Sequence, residues 1–242
     1  MNASANVKTT EKRAYRFFPL VTALFVTCLV VSNIIAVKIV QFAPNLFLPS
    51  AVILFPLAYI FGDILTEVYG FAKARQVIWT GFFCNLVAVA AFWIAGLLPA
   101  APFWAAGSFS TPDASQQAYQ AILGYTPRLL LASFIAYLIG EFLNSIVLAK
   151  LKVRTAGRFL WLRTISSTIV GEGADSLVFI TIAFFGVVPT GDMATLILGQ
   201  WWFKVIYEVI ATPLTYVVVR WLKRVENEDF FDRGTNFNPV RY

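Results

Sequence analysis

The chain has no histidine, only two cysteines, and charge on only 13% of its 242 residues. Without histidine there is no His-containing zinc site and no paired-His cofactor site, and two cysteines are too few for a four-cysteine site. Cys28 and Cys84 both fall in long apolar stretches, so no disulfide is expected and no metal centre is assigned. The sequence also lacks a glycine-rich phosphate loop followed by Lys and Ser or Thr, a HExxH and a Gly-x-Ser-x-Gly. Those absences remove the usual ATPase, zinc-protease and serine-hydrolase readings. No pore loop or repeated polar ring of the channel type is evident.

What is present is apolar: 59% of the residues are hydrophobic, gathered into long runs. So little polar surface cannot cover a soluble fold of this size. The runs place membrane spans at 17–38, 48–69, 76–98, 127–149, 164–187 and 195–222, each with the roughly 20 residues needed to cross about 30 Å of hydrocarbon. Barrel strands would alternate apolar and polar residues over about 10 positions, and these runs do not. The expected fold is therefore an all-α integral membrane protein, a bundle of six transmembrane helices.

A second absence orients that bundle. The loops 39–47, 99–126 and 188–194 contain no Lys or Arg, whereas cations crowd the other side: Lys8, Lys12, Arg13 and Arg16, then Lys73 and Arg75, then Lys150 to Arg163, then Arg220 to Arg241. Lys and Arg are retained on the cytoplasmic side, so both termini are expected inside. The domain reading follows: a cytoplasmic segment 1–16, a transmembrane domain 17–222 and a cytoplasmic tail 223–242. The first span resembles an uncleaved signal-anchor, because no small-residue cleavage site follows it. The net charge of +6 is accounted for by anionic headgroups beside the span ends, with no nucleic-acid footprint. Pro99, Pro102, Gly107, Pro112 and Gly124 exclude a seventh span from the long loop, whose Phe103, Trp104 and Phe109 suit the membrane interface.

Charged groups at membrane depth cost about 2.5–3.5 kcal/mol each even on the insertion scale, and they usually mark function. Asp63 and Glu67 lie on the second span, Glu141 and Asn144 on the fourth, Glu172 and Asp175 on the fifth, and Lys204 and Glu208 on the sixth. Each pair is spaced three or four residues apart and so shares one helix face. Four helices thus turn polar stripes toward one interior. The plainest alternative is a packing role, with Lys204 paired to Glu208 and Arg163 to Glu172. Six carboxylates against Lys38 and Lys204 as intramembrane cations leave several acids for protons, water or a donor-rich ligand. Glycines precede three of these acids, at Gly62, Gly140 and Gly171, where helices can approach closely or unwind. Asp63 and Asp175 lack the flanking sequence of an intramembrane aspartyl protease, so no catalytic residue is assigned and a transporter is expected.

The strings FGDILTEVYG (61–70), IGEFLNSIVLAKLK (139–152), LWLRTISSTIVGEGADSLVF (160–179) and FKVIYEVIATPLTYVVVRWLKRVENEDFFD (203–232) resemble the queuosine precursor transporter family, part of the wider vitamin-uptake transporter group, as does SNIIAVKI (32–39). The resemblance implies import of 7-deazaguanine bases, carrying a cyano or an aminomethyl group, across the bacterial inner membrane for transfer-RNA modification. It implies no enzyme activity and no cofactor. It puts most weight on Asp63, Asp175 and Lys204 as substrate-binding residues, with Glu67, Glu141, Asn144, Glu172 and Glu208 behind them. A carboxylate can accept the ring N–H and exocyclic amine of a guanine-like base together. Lys204 suits its carbonyl oxygen, and Trp201, Trp202, Phe179 or Tyr207 its aromatic plane. A substrate-capturing subunit that needs a separate energising module, as six-span vitamin-binding subunits do, is the alternative. Partner and oligomeric state stay open.

Overall fold

The computed structural model describes residues 15–43, 46–124 and 127–240. The expected leader 1–16 lies outside the described residues apart from its last two. Among the described residues, five helical stretches are long and apolar enough to cross a membrane. They contain α1 (Phe18–Ile35), α3 (Phe71–Leu97), α5 (Pro127–Arg154), α6 (Leu160–Phe184) and α7 (Thr190–Glu226). The described elements also include α2 (Phe55–Tyr69), the short α4 (Pro112–Leu123) and an antiparallel hairpin of β1 (Ile39–Ala43) and β2 (Leu46–Pro49).

The second expected span, 48–69, differs from the rest. Its first residues close the hairpin and turn through a short 3-10 helix at Ser50–Ile53. Only 15 residues remain for α2, about 22 Å of helix. Pro56 stands in its first turn, where proline is tolerated, so it starts the helix instead of kinking it. Gly70, with φ +82°, stops it. Short as it is, α2 is nearly all buried from Ala58 to Tyr69, so it serves as the axis around which α1, α3, α5 and α7 pack. Phe25 and Leu29 of α1, Ile64 and Val68 of α2, Val77 of α3 and Leu222 of α7 meet in one apolar core.

Small residues fix the α5–α6 crossing. A Cβ built on Gly171 would lie 2.8 Å from the Gly140 carbonyl oxygen, and one on Gly140 would lie 2.8 Å from the Asp175 Cβ. Neither position has room for a side chain. The contact sets the acids that follow these glycines, Glu141 and Glu172, side by side. Helix α4 lies in the long loop and leans on the end of α3, where Gln116 and Tyr119 donate to the Gly96 and Phe92 carbonyls at 2.8 and 3.0 Å. Thr111 caps it by accepting from the Ala114 N–H.

At the basic end of the bundle, α7 continues to Glu226, beyond the expected limit of 222, and the chain then returns along the other helices. Asp232 accepts twice from the Phe71 N–H at the start of α3. Arg75 and Trp79 donate to the Asn238 and Pro239 carbonyls at 2.8 and 2.9 Å. Phe230 lies so close to Gly70 that an added Cβ would run into its ring. Glu226, which the sequence places in water, is 6% exposed. It accepts from the N–H groups of Arg16 and Phe17 and from the Tyr69 hydroxyl, so it anchors the entry to α1 and is no neutral surface position.

Candidate functional site

The polar residues of the four stripes sort into two groups. The first is built on Lys204 of α7. Its ammonium lies 2.8 Å from the Glu172 carboxylate and also pairs with Asp175, both on α6. It sits 5.7 Å above the Tyr59 ring of α2. Lys204 does not pair with Glu208, its neighbour one turn along α7. The one-turn spacing puts the two on one face, but α6 brings two carboxylates to the ammonium where α7 brings one.

Around this pair lies a cavity of about 10 Å³ lined by Pro56, Tyr59, Thr168, Glu172, Lys204, Tyr207 and Glu208. Its size is that of about one water molecule. Next to it, Asp63 accepts from the Asn144 amide at 2.6 Å. Glu141 rests against α2, its Oε2 3.1 Å from the position a Gly62 Cβ would take. Asp63, Glu141, Asn144, Glu172, Asp175 and Glu208 are all at most 5% exposed. Oδ2 of Asp63, Oε2 of Glu141 and Oε1 of Glu208 have no hydrogen-bond partner. Five buried carboxylates therefore share one ammonium, a balance that protons or a donor-rich ligand can complete.

The second group is built on Glu67, one turn beyond Asp63 on α2 and completely buried. Arg163 of α6 grips it with two nitrogens, at 2.8 and 3.2 Å. Lys223 of α7 donates at 2.6 Å and Lys152 of α5 lies 3.7 Å away. Lys152 also donates to the Glu67 and Phe230 carbonyls and, like Lys223, pairs with Asp229 in the returning segment. Burial raises the Asp229 carboxyl, but hydrogen bonds from the two ammonium groups outweigh it and hold it below the ordinary carboxylate value. This tie is therefore fully formed at neutral pH and is lost as pH falls through the folded-state value. Four helices and the returning segment are locked together at one acid. Arg163 meets Glu67 here and not Glu172, nine residues along α6, because Glu172 is a further two and a half turns from the basic end.

Seven of the eight expected site residues thus gather around or beside the cavity, and Glu67 belongs to the lock. The aromatic expectations change more. Trp201 donates its indole N–H to the Ile169 carbonyl, Trp202 is 57% exposed, and Phe179 packs edge-on against Phe184. Of the four rings only Tyr207 lines the cavity. Tyr59 lies on the wall that sequence reasoning missed, although it stands four residues before Asp63 on the same face of α2. Lys152 was also missed; eight residues beyond Asn144, it continues the polar stripe of α5 to the basic end.

A model of a family described as putative vitamin uptake transporter matches residues 49–218, a range that contains all eight expected residues. A Bacillus subtilis (strain 168) protein named probable queuosine precursor transporter is 28% identical over 165 residues, 68% of this chain and 68% of that one. A Haemophilus influenzae protein of the same name is 28% identical over 131 residues, covering 54% of this chain and about half, 49%, of its own length. No solved structure is a significant match.

Proposed function

Since the chain belongs to the putative vitamin uptake transporter family, as its motifs led us to expect, we propose that it imports queuosine precursors, 7-deazaguanine bases such as the 7-cyano and 7-aminomethyl forms, across the bacterial inner membrane. The observation that carries this reading is the half-buried Lys204, held between Glu172 and Asp175 beside a cavity walled by Tyr59 and Tyr207. A guanine-like base meets each of these groups with its complement. Its ring N–H and exocyclic amine face one carboxylate in a paired fashion, and its carbonyl oxygen takes a hydrogen from Lys204. The two tyrosines flank the plane, where stacking is worth about 1–3 kcal/mol per base. Glu208 receives the ammonium of the aminomethyl form.

A cavity of this size admits no base until the helices part. Entry then exchanges one set of partners for another: the substrate takes a carboxylate from Lys204 and returns an acceptor to it. Such exchange lets a charged site open without leaving a bare charge in the membrane. The carrier crosses the membrane six times, with α2 and the hairpin before it completing the second crossing. The basic end, with the lock and both termini, faces the cytoplasm.

Two measurements test these statements. Purified protein in liposomes, with no ATPase present, is expected to take up labelled 7-cyano-7-deazaguanine saturably. Tight binding without uptake would instead favour the capturing subunit that awaits an energising partner. For orientation, with Cys28 and Cys84 replaced by Ala, cysteines at the exposed Ser110 and Gly191 are expected to react with an impermeant thiol reagent on whole cells. One at Thr155 is expected to react only after permeabilisation, and the reverse pattern would invert the topology.

A further inference from the structure

Asp63 is a buried group that the binding scheme does not use. Asp63 is 1% exposed and does not line the cavity. One turn of α2 separates it from Tyr59 on the cavity wall and one turn from Glu67 in the lock. Its Oδ1 accepts from the Asn144 amide. Its Oδ2, the Asn144 Oδ1 and the Glu208 Oε1 are buried acceptors with no donor. They come from α2, α5 and α7, and each is destabilising while unpaired, more so where it is charged. An amide oxygen left open beside a carboxylate calls for a hydrogen-bond donor, which counter-charge alone does not supply.

The charged groups facing Asp63 deepen the deficit. Glu208 of α7, Glu141 of α5 and Glu67 on its own helix are all acids. The cations nearby are engaged elsewhere: Lys204 with Glu172 and Asp175, and Arg163, Lys152 and Lys223 with Glu67. Among the described residues no group of three or more His, Cys, Asp or Glu is arranged to hold a metal ion. Resting on the transporter reading above, we propose that Asp63 carries a co-transported proton, so that import of the base is a proton symport. The proton adds to a carboxylate oxygen of Asp63 from the side of higher proton activity. That O–H bond supplies the absent donor and removes one of the facing negative charges. It breaks again when the proton leaves on the other side, and no other atom or electron is exchanged. A proton bound between cavity and lock lowers the repulsion among α2, α5 and α7 that otherwise opposes their closing over substrate.

The test uses purified protein in liposomes that enclose a pH-sensitive dye, with labelled 7-cyano-7-deazaguanine, a base without an ammonium group, as the probe. An outward-acidic gradient is expected to raise wild-type initial uptake at least five-fold over equal pH, and adding unlabelled base outside is expected to acidify the lumen. For Asp63→Asn, which carries a permanent donor and cannot release a proton, the ratio with and without gradient is expected to fall to one. Asp63→Glu is expected to keep a ratio above one. Wild-type uptake that ignores the gradient, uptake that follows a sodium gradient instead, or full gradient response in Asp63→Asn would each overturn the proposal. Dye acidification by the wild type decides whether a proton is co-transported even if Asp63→Asn does not insert, and the gradient ratio of Asp63→Glu then tests the assignment to this residue. If the wild type takes up no base at all, the transporter reading itself fails and the symport falls with it, an outcome distinct from gradient-independent uptake.

Discussion

Removing all charge from the Lys204 triad, in the variant Lys204→Met, Glu172→Gln, Asp175→Asn, is expected to lower uptake at least 100-fold while the protein still inserts and resists heat. Lys204 alone is the wrong target. Its ammonium holds two carboxylates that are 1% and 8% exposed at their side chains, and Lys204→Met would leave both facing each other without a cation. Breaking a buried ion pair by removing one partner costs about 3–5 kcal/mol, whereas exchanging the whole set for uncharged groups of similar volume is often neutral. The triple variant therefore separates packing from substrate handling. A 100-fold loss corresponds to about 2.7 kcal/mol of lost transition-state stabilisation, in the range of one or two charge-assisted hydrogen bonds to the base. Uptake near the wild-type rate, normalised to inserted protein, would show that the triad only fastens α6 to α7.

The second large effect is structural and falls at the other end of α2. Glu67→Gln is expected to destabilise the protein by about 3–5 kcal/mol, because Arg163 and Lys152 stay buried while their shared anion is gone. For a chain of this size that corresponds to a fall in Tm on the order of 10 °C, measurable on detergent-solubilised protein. Asp113→Asn, at the exposed first turn of α4, serves as the control and is expected to change stability by less than about 1 kcal/mol. An unchanged Tm in Glu67→Gln would mean that the three cations find other partners, and that the four helices and the returning segment do not depend on this acid. The two variants are expected to contrast: loss of flux with stability kept at Lys204, loss of stability at Glu67.

The two groups differ because of where the cations come from. Near the Lys204 layer the helices offer acids from α2, α5, α6 and α7 and one ammonium. Near the basic end, the same loop cations that orient the chain reach inward: Lys152 from the last turn of α5, Arg163 from the first turn of α6 and Lys223 from the last turn of α7. Counting cations by span boundary placed these three outside the membrane and left Glu67 among the unpaired acids. Long side chains defeat such boundaries, since a Lys or Arg whose backbone sits at a helix end can turn its head inward as readily as outward. The same error put Glu226 in water, when the returning segment and the start of α1 fold over it.

What the amino-acid sequence determined by itself was everything that depends on composition and period. Long apolar runs require helices in a bilayer, because no water is there to satisfy the backbone. Acids and amides three or four residues apart must share a face, so Asp63, Glu141, Asn144, Glu172, Asp175, Lys204 and Glu208 had to look inward, and the motifs around them carried the family. Only the tertiary structure decided which of them meet. It shortened the second span to a buried helix of 15 residues, since Pro56 and Gly70 bound it and four neighbouring helices pack around it. It gave Lys204 to Glu172 and Asp175, brought Tyr59 to the cavity, withdrew Glu67 into a lock and left one carboxylate oxygen of Asp63 without a donor. Pairing across helices follows from their relative rotation and height, set here by contacts such as Gly140 on Gly171, and a rotation of one helix by one residue, about 100°, would exchange every partner while leaving each helix's own pattern unchanged.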